Sequence, residues 1–119
     1  MSKVDDYLKP ALAFWTQEQG EKDSLPGQYK GYVASLGTSI IHCGLVPAVF
    51  MFSGNDEVRS DEDKSFLLKG ILHILDIKSH SSLLDYVLEN DTPYATARIC
   101  DAIVAMKLAL RTFKLTKNG

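Results

Sequence analysis

Three cations near the end of the chain, Lys107, Arg111 and Lys114, follow one another at i, i+4 and i+7. That spacing stacks them on one side of a helix. A row of ammonium and guanidinium groups is suited to phosphate oxygens, which it holds through charge without reading sequence. The same row also occurs as plain solvated charge. Two readings therefore stand on the residues alone: a phosphate-contacting surface, or the solvated face of a helical adaptor that binds only protein. Residues 1–93 hold 8 basic and 14 acidic side chains, a balance of −6, whereas 94–119 hold 5 basic ones (Arg98, Lys107, Arg111, Lys114, Lys117) and Asp101 alone, a balance of +4. With a net charge of −2 the protein is not basic all over; it has one basic pole. Lys30, near the start of the central helix, is a fourth candidate for the same contact, its place being set by packing.

The other reactive side chains form no constellation. Asp56, Glu57, Asp61, Glu62 and Asp63 could offer oxygens to a divalent cation, but the D-x-D-x-D-G order of a calcium loop is missing, and a solvated loop is expected. His42, His73 and His80 have neither HExxH spacing nor a cysteine or carboxylate set around them. Cys43 and Cys100 each stand alone in an apolar helical stretch and read as reduced core thiols. There is no GxSxG, GxxxxGK[ST] or GxGxxG. The expectation is a protein that is not an enzyme and uses neither cofactor nor metal.

These side chains must be positioned by helices. The most apolar run, YKGYVASLGTSIIHCGLVPAVFMFSG over residues 29–54, places Tyr29, Tyr32, Val33, Leu36, Ile40 and Ile41 at helical intervals. Tyr32, Leu36, Ile40 and Ile41 are expected in the core. Polar residues and Gly37, Gly44 and Pro47 interrupt the roughly 20 apolar residues that a membrane span needs. Pro47 would crowd the carbonyl of Cys43 in a continuous helix, so two helices are predicted, about 28–42 and 45–52, joined by a break at 44–47.

Upstream, a first helix starts or kinks at Pro10 and stops near Gly20. Downstream, Ser60 and Asp63 resemble a capping box before the apolar run 66–75, and one of Ser79, Ser81 and Ser82 caps a short helix ending near Asn90. Thr92-Pro93 opens the last helix, expected to run unbroken to about Thr116. It carries two apolar arcs. One is Ala95, Ile99, Ala102, Ile103, Met106, Leu110 and Phe113; the other is Ala97, Val104, Leu108 and Leu115, which either closes on another helix of the same domain or meets a neighbouring subunit. The reading is all-α: one helical domain over 1–119, a bundle of five or six helices. The first ten residues show no secretory pattern, and a cytoplasmic protein is expected.

Two features together resemble a known family. The paired tyrosines, hydrophobic helix, Gly44-Leu45 and following apolar run of the central stretch are similar to the middle of the small α-helical subunit of type III-B CRISPR-Cas effector complexes, the Cmr family. The last helix is similar to that family's last helix in Tyr94, the Ala95–Ala97 turn, the apolar middle and the ending with Lys107, Arg111, Phe113 and Lys114. The resemblance implies a non-catalytic subunit that stacks in several copies along a filament beside other Cmr subunits. It also implies that a basic surface lines a channel holding guide RNA and target RNA, with Lys107, Arg111 and Lys114 as the matching cations of the last helix and Lys30 as the separate fourth candidate. The small subunit of the related type III-A complex is the alternative within the same setting.

Overall fold

Each apolar run forms a helix, in the order α1 (Val4–Gln19), α2 (Gln28–Cys43), α3 (Leu45–Phe52), α4 (Ser60–Ile74), α5 (Leu83–Glu89) and α6 (Pro93–Leu110). The computed structural model describes residues 4–53 and 60–116, side chains excepted over 60–64. Among the described residues no strand forms beyond a single parallel bridge between Leu25 and Leu115. The expected capping box of Ser60 and Asp63 and the acidic loop from Asp56 to Asp63 lie outside the described side chains.

Local signals set most boundaries. Thr92 is extended and its hydroxyl accepts from the amide of Ala95 at 3.1 Å, with Pro93 at the position where a missing N–H costs nothing. Ser82 caps α5 in the same manner, accepting from Asp85 at 3.1 Å. The α1 helix runs through Pro10 from Val4 and ends where Gly20 turns left-handed (φ 56°).

Gly44 is a one-residue pivot. Its N–H donates to Ile40 and completes α2, and its carbonyl accepts from Ala48 and opens α3. Pro47 then falls in the first turn of α3, where its absent amide has no intrahelical partner to lose. The pivot needs φ 98° and ψ 164°, a region nearly reserved for glycine. A Cβ there would be 3.7 Å from Pro47 Cδ, ordinary contact, so the cost of a side chain is conformational. Gly44→Ala is expected to destabilise the protein by about 1–3 kcal/mol, read as a lower denaturation midpoint at unchanged m-value; an unchanged midpoint would show that the pivot tolerates a side chain.

One core draws on all six helices. The α1 and α6 helices run parallel: Tyr7 meets Arg98, and Trp15 donates from its indole to the carbonyl of Met106 at 3.0 Å, both across 91 residues of chain. Ala11 and Ala102, separated by the same offset, are both fully buried, and small side chains let helices approach closely. The α2 helix runs antiparallel to α6. Gly37 lies against Ile103, where an added Cβ would sit 3.6 Å from the isoleucine Cγ2.

Several expectations are corrected. The α2 helix buries a narrow stripe of Tyr29, Val33, Leu36 and Ile40. Ile41, a further 100° around, is 78% exposed, and Tyr32 at the edge is half-buried. Cys43, the last residue before the pivot, is exposed and not a core thiol. The α6 helix widens its buried face with Ala105 and Ala109, so Ala97, Val104 and Leu108 remain exposed, and no helix among the described residues covers them.

The end of α6 is corrected as well. It stops at Leu110, not near Thr116. Arg111, Thr112 and Phe113 donate to the carbonyls of Leu108, Ala109 and Leu110, a tightening to i→i−3 bonds, and the Thr112 hydroxyl also bonds to Ala109 at 2.8 Å. The chain then turns back as a strap. Leu25 is buried, and its backbone groups need partners there. The strap supplies them: Leu25 N–H donates to Lys114 at 2.8 Å, and Thr116 N–H donates to Leu25 at 2.9 Å.

Candidate functional site

The antiparallel pairing of α2 and α6 brings the first turn of one beside the last turn of the other, and the strap closes the third side. The result is a groove of about 220 Å³. Lys30 stands on the α2 wall, and Lys107 on α6 and Arg111, its C-cap residue, stand on the other. All three are exposed, and among the described residues none is paired with a carboxylate. The floor is apolar: Val33 and Leu110 are buried, and Phe113 and Leu115 of the strap are half-buried.

This arrangement alters the row read from the sequence. Lys107 and Arg111 remain neighbours because the helical turn persists to Arg111. Lys114 does not continue the row; it is exposed on the strap and does not line the groove. Lys30 faces Lys107 and Arg111 instead of standing apart from them. The floor was not legible as a site, since Phe113 and Leu115 belong to opposite arcs of an unbroken helix and meet only because the chain turns after Leu110.

Arg98, the remaining described cation of the basic pole, has a different position. Its guanidinium donates to the Tyr86 hydroxyl at 3.2 Å and the Leu75 carbonyl at 3.3 Å, and its Cζ lies 5.6 Å from the centre of the Tyr94 ring. Burial opposes its charge, but the bond with Tyr7 and the fields of Tyr86, Tyr7 and Tyr94 outweigh it, and its pKa is raised. Arg98 ties α1, α5 and the end of α4 to α6 and takes no part in the groove.

The remaining candidates stay dispersed. His42 and His73 are exposed. His80 lies 2.7 Å from the Ser79 hydroxyl through Nδ1 and 3.3 Å from Glu89 through Nε2, against the edge of Tyr86. Cys100 is half-buried, and burial, with Asp101 beside it, pushes its thiol pKa up. Among the described residues no three His, Cys, Asp or Glu side chains gather as a metal set, and no helix is long and apolar enough to cross a membrane.

No family model, curated protein or solved structure matches the chain.

Proposed function

We propose that this protein is a non-catalytic small subunit of a type III-B RNA-guided effector complex, stacking beside other Cmr subunits and copies of itself and holding guide and target RNA by their phosphates. The reading rests on the resemblance of the central stretch and the last helix. The observation that carries it is the groove. Lys30 and the pair Lys107 and Arg111, separated by more than 70 positions in sequence, converge on one concave surface without an acidic side chain in its lining. Solvated charge alone gives no reason for such convergence, whereas a phosphate chain is drawn to cations on both walls. Contacts of this kind position a nucleic acid and leave sequence to base pairing.

The test is copurification from the native host with a tag on this chain. The expected result is an assembly of several proteins that retains RNA at low salt and loses it as salt rises. Recovery of protein partners with no nuclease-sensitive nucleic acid would overturn the reading in favour of an adaptor.

A further inference from the structure

The floor of the groove is not what phosphates require. Phe113 and Leu115 pack against the core from the strap, and as half-buried side chains they leave apolar surface in the lining of the groove that also holds the cations. An engineered apolar cavity of roughly 150 Å³ takes a benzene ring, and this groove of about 220 Å³ is larger and open at the rim. We propose that the groove takes one unstacked base of single-stranded RNA against Phe113, with the phosphates on either side of that nucleotide held by Lys30 across from Lys107 and Arg111. This rests on the RNA-binding reading given above and deepens it.

Charge complementarity selects the occupant. An internal nucleotide carries a flat ring with a phosphate before it and another after it, which matches an apolar floor with cations on opposite walls. A peptide with one acidic and one apolar side chain would satisfy only one wall. A duplex keeps its bases stacked and paired, so the strand in the groove must be single, a stretch of guide or target RNA that is not paired with the other. Stacking on an aromatic face tolerates any base, so the groove adds affinity without a sequence requirement.

The experiment compares two labelled 12-mers of equal charge, oligouridylate and an abasic ribose-phosphate strand, by fluorescence anisotropy with the full chain at low salt. The abasic strand is expected to bind roughly five-fold to a hundred-fold more weakly. Phe113→Leu keeps apolar bulk but removes the ring face, and should bring oligouridylate towards the abasic level with an unchanged salt dependence. Should that variant fail to fold by circular dichroism, the two probes on the unaltered protein still decide. Equal affinity for both probes would overturn the base site and leave phosphate binding intact. Binding of neither, at high protein concentration, would overturn both. Displacement of oligouridylate by an acidic, phenylalanine-containing peptide at lower concentration than by unlabelled oligouridylate would assign the groove to a protein partner and overturn the base site.

Discussion

Trp15→Ala is expected to lower the unfolding free energy by about 3–5 kcal/mol, a large share of the ~5–15 kcal/mol that holds a domain of this size. Trp15 is fully buried at the crossing of α1 and α6, and its ring lies 5.5 Å from Tyr29 and 6.5 Å from Phe66 between centroids. Phe14 beside it stacks on Phe66 at 4.8 Å, so removing the indole opens a void in an aromatic cluster shared by α1, α2 and α4. Close-packed surroundings collapse only in part into such a void.

The indole N–H also donates to Met106, so its loss separates into two contributions. Trp15→Phe retains much of the ring and removes the bond, and should cost about 1–2 kcal/mol, since the Met106 carbonyl lies within α6 and keeps its helical acceptor role. Circular dichroism melts measure both variants, because the only tryptophan is the one removed. The alanine variant should melt roughly 10 °C lower or more. A shift within about 1 °C would mean that the α1–α6 contact is not where the core is tied.

What the sequence made legible is what short-range chemistry decides. Gly44 and Pro47 mark the break because either would harm a continuous helix, and Thr92-Pro93 marks a start because a hydroxyl cap acts within three residues; the serine cluster marked another, with the choice of Ser82 over Ser79 and Ser81 made only by the fold. The end of α6 was hidden. Nothing near Leu110 forbids another turn; the chain leaves the helix to satisfy Leu25, some 90 positions earlier. The exposure of Ile41 was hidden for a related reason. Helical spacing says which residues share a face, but the width of the buried stripe is fixed by the neighbouring helices.

The candidate site divides in the same way. Lys107 and Arg111 were legible as neighbours from i, i+4 spacing. Lys114 was misplaced because the strap begins before it, and Lys30 gained its position only from the antiparallel packing of α2 on α6, for which the pair Gly37 and Ile103 carries no advance signal.

If the proposed RNA-holding complex forms, exchanging Lys30, Lys107 and Arg111 together for glutamine is expected to release its RNA at salt concentrations that the unaltered complex withstands. Neutralising one phosphate contact lowers the log-log salt slope by about 0.7 for a single strand, so three contacts should flatten it by roughly 2. Glutamine serves better than glutamate here. Lys107 lies in the last turn of α6, where a carboxylate would face the negative end of the helix, and such a change would mix folding with binding. Lys30 lies in the first turn of α2, where losing a cation relieves the opposite dipole end and offsets part of the loss of Lys107 and Arg111 at the end of α6; as all three are exposed, the melting temperature should change little.

Lys114→Gln is the internal comparison. It removes one equal charge from the strap, outside the groove, and should alter affinity and slope less than any one of the three groove exchanges. In the proposed assembly several copies along a filament would multiply each contact, so the assembled complex would show the difference more strongly than a lone subunit. An unchanged slope in a triple variant that still assembles would make the three cations a solvated surface. An equal loss from Lys114→Gln would spread the phosphate contact over the whole basic pole and remove the groove's special role.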